Sequence, residues 1–533
     1  MPIFHPVKKY PKQGASLVGS ETQNKLLSMI DRRTFLQKST LASAGMGLLP
    51  TLATLPAYAR PTAATEKMIG IQMGGYSFYD EGMEKVLDFL RDEAAINTLM
   101  IYSHTYYSAD NRPAHVLAND HGIDPALLTN RKLTKTWVRH DERYYKNTTL
   151  RHFSPDSSYL YAEKDIFREI LPLARQRNMK VLIRLMELSA DKGMQYIHNF
   201  ESVLTRDIDG KPSSGPCWNN PDYRNWVYAT VEDLFNNYDI DGMQYGAERT
   251  GALSRLLFQG SVPDCFCEHC RKRNEGKGID FFRAKEGFTR LYRFIKAVEA
   301  GTQTAVDTVM VNVLRHLQEY PEILAWNFQW FRADEEIQQE VYTRIKKIKP
   351  DAIVGRHVDH QRSTWDIFYR SAITYGEMAT HADFIKPILY HDILGPRLRW
   401  WVMERMNERV LKDLSLEQSL DLFYAWMGFG KEAQVPLNEL EPKGMGPEYV
   451  YNETRRCVAS VDGKSKVIAG IGIDVPWHAP EGLVAYPSDA KRLQESVLRA
   501  MEAGADGLLA SREYDEIRHS SLRAFGEAVR KVQ

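Results

Sequence analysis

Several short apolar runs in this chain end in a carboxylate, an imidazole or a guanidinium group, and acid and base chemistry on a bound molecule needs groups placed that way. Glu248 closes Asp241-Gly242-Met243-Gln244-Tyr245-Gly246-Ala247-Glu248, and Asp474 closes Val467-Ile468-Ala469-Gly470-Ile471-Gly472-Ile473-Asp474. A carboxyl that emerges from a packed apolar run can have its pKa raised, which suits a proton donor. Cleavage of a glycosidic bond needs one protonated and one ionised carboxyl flanking that bond, so Glu248 and Asp474 are the expected catalytic pair, with Asp392 and Glu513 in reserve. Arg184, Glu187, His357, Asp359, His391, Asp392, Trp477, Arg512 and Glu513 fall in or beside similar runs and form the expected substrate-binding set. A lone carboxylate after a strand is often only a helix N-cap, but so many in one layer call for another reason.

Four of the five cysteines suggest a second kind of chemistry. Cys265, Cys267 and Cys270 lie within Cys265-Phe266-Cys267-Glu268-His269-Cys270, and Cys217 lies upstream in Gly215-Pro216-Cys217-Trp218-Asn219-Asn220. Four thiolates make a closed tetrahedral shell for Zn²⁺ that leaves no open position, so the expected ion is structural. His269 is an alternative ligand, and disulfides are the competing use of thiols in an exported chain. Cys265 and Cys267 are too close to pair comfortably with each other. Cys457 reads as a small buried hydrophobe.

The N-terminal stretch reads as an address. Asp31-Arg32-Arg33-Thr34-Phe35-Leu36-Gln37 resembles the twin-arginine motif of bacterial Tat signal peptides, followed by a modestly apolar stretch over 41–55 and Ala57-Tyr58-Ala59 as a cleavage site. Residues 1–59 are therefore the expected signal peptide, the Tat translocase the partner during export, and the periplasm or the exterior the destination. The apolar stretch is shorter than the ~20 residues of a membrane-spanning helix, so no stable membrane insertion is expected. Lys plus Arg and Asp plus Glu both number 69, and this balance gives no global field favouring nucleic acid or an anionic membrane. Plentiful Tyr and Trp suit stacking on sugar faces as well as they suit a core.

The elements that must position these groups follow from periodicity. Strands are predicted over 69–78, 96–103, 180–188, 241–248, 352–358, 384–392, 466–475 and 505–511. Helices are predicted over 81–93, 163–178, 222–238, 334–349, 416–427, 489–503 and 520–532. This alternation predicts an α/β fold, a (β/α)₈ TIM barrel over 60–533 with loop insertions. One insertion, 104–156, is dense in Tyr, His and Arg and reads as a lid or binding wall; another, 249–280, carries the cysteine triplet. Active sites of such barrels lie at the C-terminal ends of the strands, where the acidic and basic residues above are placed.

Cys217-Trp218-Asn219-Asn220-Pro221-Asp222-Tyr223-Arg224, the run ending in Glu248, and the cysteine triplet together resemble a stretch of family 42 β-galactosidases and related clan A barrel hydrolases. The resemblance implies Glu248 as the general acid/base, Cys217, Cys265, Cys267 and Cys270 as zinc ligands, and a carbohydrate substrate. The chain departs from that pattern at Ala247, where the family has Asn, and at Asp474, where it has a Glu nucleophile. The shorter Asp widens the carboxyl separation in the direction of inversion.

Two other readings use the same residues. Glu187, His357, Asp359, His391 and Asp474 converging on a divalent cation would make a metal-dependent sugar isomerase, epimerase or lyase. Ala247 beside Glu248 keeps open a non-catalytic carbohydrate-binding barrel. Arg184, Arg356 and Arg512 suit an acidic or sulfated sugar, and equally suit ordinary ion pairing.

Overall fold

Eight short, mostly apolar runs pair side by side as parallel strands: β1 Met68–Met73, β2 Thr98–Tyr102, β3 Lys180–Met186, β4 Gly242–Gly246, β5 Ile353–Val358, β6 Phe384–Leu389, β7 Lys466–Gly472 and β8 Gly507–Glu513. Each pairs with its neighbours in sequence, and β8 pairs with β1, closing the barrel. The protein is therefore a (β/α)₈ barrel, seen in a computed structural model that describes residues 66–105, 118–123, 135–304, 306–479, 482–484 and 486–533. The twin-arginine segment and the expected cleavage site lie outside the described residues, as does part of the 104–156 insertion. Glu66–Gln533 forms one compact unit. Among the described residues, no helix is long and apolar enough to cross a membrane.

Strand periodicity sorts the barrel interior into layers. Alternate residues face inward, and Met100, Leu182, Phe384, Ile468 and Leu509, from β2, β3, β6, β7 and β8, pack together as a small cluster of their own. Two residues further along each strand the interior turns polar, with Tyr102, Arg184, Lys386 and Ser511 joined by Gln72 of β1 and Gln244 of β4. The outer faces of the strands and the surrounding helices share the large main core. Gly470 belongs to the inward set, and a Cβ there would run into the Lys386 side chain, so glycine is what lets this lysine cross the interior.

Some boundaries differ from the sequence expectation for one reason. β1 stops at Met73 and Gly75–Glu81 is helical; β6 stops at Leu389 and His391–Arg397 is helical. His391 and Asp392 therefore open a helix instead of ending a strand. Unbroken apolar runs are shared by buried strands and buried helices, so periodicity alone cannot place such ends. β8 extends to Glu513, which puts Arg512 and Glu513 inside the strand. The segment between β4 and β5 is also larger than expected. After Ala252–Gln259 and Glu268–Glu275 come Phe281–Glu299, Val309–Glu319 and Glu322–Ile348, of which the predicted helix over 334–349 is only the last part.

Candidate functional site

Glu248 stands two residues beyond β4, in phase with the inward-facing Gln244, and its side chain is 34 % exposed at the barrel mouth. From β5, His357 Nε2 lies 2.9 Å from Glu248 Oε1. Gly246 makes this approach possible, since a Cβ there would meet the His357 side chain at 2.8 Å. Burial and the nearby Lys386 push His357 down to about 3, so at neutral pH the imidazole is uncharged and Nε2–H donates to the carboxylate. Burial alone would raise the Glu248 carboxyl, but the His357 hydrogen bond and the Arg184 and Lys386 charges outweigh it and hold Glu248 well below the usual range. Glu248 is thus an ionised carboxylate facing the mouth.

Glu513 stands on β8, the strand diametrically opposite β4 in the closed order. Its Oε1 accepts from Tyr102 OH at 2.7 Å and from Gln72 Nε2 at 3.4 Å. A register shift between Ile71 and Gln72 sets Gln72 beside Glu513. Oε2 is buried without a hydrogen-bond partner. Burial pushes Glu513 up to about 7, opposed by Arg184 and reinforced by Glu516. Asp359, on the inward side just past β5, is also pushed up to about 7, by burial and then by the Glu248 charge. Its Oδ1 accepts from the Arg362 backbone N–H at 2.9 Å, and its Oδ2 is buried without a partner. The mouth therefore holds one ionised carboxylate and two carboxyls poised near neutrality.

Asp474 has a different environment. Oδ1 accepts from Ser488 N–H at 2.8 Å, Ser521 Oγ at 3.1 Å and Arg518 Nη2 at 3.1 Å, while Oδ2 accepts from Arg518 N–H at 2.8 Å and Nε at 3.3 Å. These five bonds use both oxygens to tie the segment just past β7 to Ser488, ahead of the helix Ala490–Glu502, and to Arg518 and Ser521 at the start of the helix His519–Arg530.

Other expected site residues divide the same way. Arg184 is in the mouth, with Nη1 donating to Gln244 Oε1 at 2.7 Å and its guanidinium 5.1 Å from the centre of the Tyr102 ring. Glu187 is buried against Arg249, Nε to Oε1 2.5 Å, and accepts from Trp218 Nε1; burial pushes its carboxyl up against the Arg249 charge. Asp392 pairs with Arg492 at 3.3 Å, and His391 is fully buried with Nε2 3.4 Å from Asp392. Arg512 pairs with Glu516. Arg356 faces outward to Glu335, so it serves ion pairing and not an acidic sugar. Trp477 begins the hairpin strand Trp477–Ala479, and its side chain lies outside the described ones.

The four cysteines come together as expected. Their sulfurs lie within 4.8 Å of one another, with Cys217 Sγ 3.4 Å from Cys267 Sγ and 3.5 Å from Cys270 Sγ, and none is in a disulfide. Ligands ~2.3 Å from a tetrahedral ion would stand a little under 4 Å apart, so the cluster could hold a metal ion. Two N–H groups aim at the sulfurs: Asn219 Nδ2 at 3.3 Å from Cys270 and Arg206 N at 3.4 Å from Cys265. Such bonds orient and stabilise thiolates. Asn220 caps the helix Pro221–Asn237 by accepting from Asp222 N–H at 2.9 Å, which fixes the chain just after Cys217. Two further groups of potential ligand atoms exist among the described residues, His104, His140 and His152, and Glu81, His121 and His519. Glu187, His357, Asp359, His391 and Asp474 do not gather into one.

Lys386, Gln72, Gln244 and Tyr102 were missing from the residues expected at the site. Each is a residue with a polar group in an otherwise apolar strand run, and since apolar branched residues dominate barrel interiors, that interruption was the signal available in the sequence. Lys386 Nζ donates to Ser511 Oγ at 2.6 Å and to Gln72 Oε1 at 3.0 Å. Burial, and then the Arg184 charge, push its pKa well down. A small cavity lined by Tyr102, His104, Arg184, Glu187 and Lys192 adjoins this layer. A larger one, lined by Met68, Thr98, Lys180, Ile353, Phe384 and Lys466, lies at the N-terminal ends of the strands, the end of a barrel associated with stability.

Fold and mouth together define a (β/α)₈ barrel with, on opposite strands, one carboxyl held well below its usual range and one pushed up to about 7. No protein-family model matches the chain, and a search of curated proteins finds no match. Solved structures that resemble it include a β-galactosidase from the Antarctic haloarchaeon Halorubrum lacusprofundi, at 11 % identity and TM-score 0.47, covering 86 % of this chain and 57 % of that one. Another is the β-galactosidase of the psychrophilic Marinomonas ef1, at 9 % identity and TM-score 0.48, covering 87 % and 59 %. A third is α-L-fucosidase isoenzyme 2 from Paenibacillus thiaminolyticus, at 13 % identity and TM-score 0.43, covering 87 % and 49 %. The chain spans about half to three-fifths of the length of these proteins.

Proposed function

We propose that the protein is an exported glycoside hydrolase in which Glu248 is the ionised carboxylate and Glu513 the proton donor. One arrangement carries this reading: two carboxyls stand on opposite strands of the mouth in unlike surroundings, Glu248 hydrogen-bonded by His357 and held well below its usual range, Glu513 buried with one oxygen unpaired and pushed up to about 7. Glycoside hydrolysis needs that combination on either side of the scissile bond. Glu513 gives its proton to the departing oxygen as the bond to the anomeric carbon breaks. Glu248 attacks that carbon or takes a proton from the water that does.

This reading reverses the role the resemblance implies for Glu248 and moves the second carboxylate from Asp474 to Glu513. Five hydrogen bonds leave Asp474 no free oxygen to act with. Arg184, His357, Asp359 and Lys386 would hold the sugar and tune the pair. Zn²⁺ at Cys217, Cys265, Cys267 and Cys270 would be structural, since a full sulfur shell offers no position to substrate. Export through the Tat translocase to the periplasm or beyond completes the proposal.

The test is a glycan screen on the mature protein with NMR of the anomeric product, repeated on Glu248→Gln and Glu513→Gln. Turnover that disappears in both folded variants supports the pair. Parental turnover in either would remove that residue from the mechanism.

A further inference from the structure

The insertion after β2 brings together three histidines that the barrel chemistry does not use. His104 follows the end of β2, His140 lies in the segment 135–141, and His152 lies in the two-residue strand Arg151–His152, which pairs with Ile197–His198. The three are distant in sequence, yet one ring nitrogen of each lies within 4.8 Å of the others. His104 and His152 are 4 % and 9 % exposed, and the His140 side chain 5 %.

Several contacts around the rings suit a metal site, although the His140 and His152 rings stack face to face with centroids 3.6 Å apart and 5° between their planes, so one ring must turn to aim its lone pair at a shared ion. His104 Nε2 and His152 Nε2 stand 3.1 Å apart. Two nitrogens bound at 2.0–2.1 Å to one tetrahedral zinc stand about 3.3 Å apart. His140 Nδ1 lies 2.8 Å from Asp233 Oδ2. That carboxylate already accepts from the Asp141 N–H, from Asn237 Nδ2 and from Tyr145 OH. A carboxylate surrounded by donors does not donate, so Nδ1 carries the proton and Nε2 keeps its lone pair. His140 Nε2 is buried with no hydrogen-bond partner. A carboxylate behind a histidine is the outer partner that orients imidazole ligands on metals. Ser103 Oγ, 3.0 Å from His104 Nδ1, is placed to do the same for the second ring.

We propose that His104, His140 and His152 bind one divalent transition-metal ion of the Zn²⁺ type, at a site separate from the cysteine cluster. Three imidazoles leave a fourth position open. The ion ties the end of β2 to segments 135–141 and 151–152, and through Asp233 to the helix Pro221–Asn237. It thereby braces the wall beside the cavity that His104 shares with Tyr102, Arg184 and Glu187. The proposal depends on neither the glycosidase reading nor occupancy of the cysteines.

The experiment is titration of the metal-free mature chain with Co²⁺, followed by absorption, alongside total metal content after zinc loading. The expected spectrum contains a component without sulfur-to-metal charge transfer. That component is lost in His140→Phe and retained in Cys267→Ser. Zinc content should fall by one ion per chain in His140→Phe. If the unmutated chain takes up Co²⁺ only with thiolate charge transfer, or none at all, the proposal is overturned without recourse to a variant. A folded His140→Phe that keeps the parental spectrum and metal content would overturn it as well.

Discussion

Asp474, just past the end of β7, and Glu513, at the end of β8, are carboxylates on adjacent strands that their surroundings treat in opposite ways. Asp474 is held by five hydrogen bonds from Ser488, Ser521 and Arg518, which spend both of its oxygens on structure. Glu513 accepts two bonds on one oxygen, has the other buried and unpaired, and is pushed up to about 7. A carboxylate saturated with donors holds loops together. One buried with spare capacity is poised to exchange a proton. Position along a strand does not tell the two apart, but the set of donors around each does.

Substitution separates the two carboxylates most visibly. Glu248→Gln and Glu513→Gln should each lower kcat by about 10²–10⁴-fold, the range for loss of a positioned acid or base, measured on whichever glycoside the screen identifies. Asp474→Asn should do the reverse, leaving kcat within about threefold while lowering unfolding free energy by about 2 kcal/mol, as for hydrogen bonds to a charged group. Denaturant melts of Glu513→Gln and Asp474→Asn side by side distinguish these outcomes.

A smaller difference shows in the pH dependence. With Glu513 as the proposed proton donor, kcat/KM is expected to fall as pH rises through about 7, and Asp359→Asn to keep that limb although Asp359 is also pushed up to about 7. Stability carries the same sign. The folded value of about 7 exceeds the ordinary 4.5, so the contribution of protonated Glu513 is fully present below about 4.5 and lost as pH rises through about 7. Glu513→Gln should flatten that dependence. The smallest effect is expected at Asp392, whose partner Arg492 is partly exposed. Asp392→Asn should change stability by less than about 1 kcal/mol and leave turnover unaltered.

Much of this was legible in the sequence. Eight apolar runs separated by helical patterns pointed to the barrel, and the spacing of the cysteines pointed to a cluster that the fold assembles. Glu248, His357, Asp359, Arg184 and Glu513 were all marked by their places at or near run ends. The roles were not legible, because they depend on groups far away in the chain. His357 reaches Glu248 across 109 positions, and Arg518 reaches Asp474 across 44. Lys386 was hidden within an apolar run, and its place became visible only when the barrel set it against Gln72, 314 positions earlier. The histidine cluster likewise needs 104, 140 and 152 to be folded together against Asp233.

Whether Glu248 works with Glu513 is decided most directly by the turnover of Glu513→Gln and Asp474→Asn, measured together on the same glycoside near pH 6. Glu513→Gln is expected to be essentially inactive while folded, and Asp474→Asn to turn over near the parental rate despite its lower stability. A folded Asp474→Asn without turnover, beside a Glu513→Gln that hydrolyses like the parent, would contradict the pairing of Glu248 with Glu513.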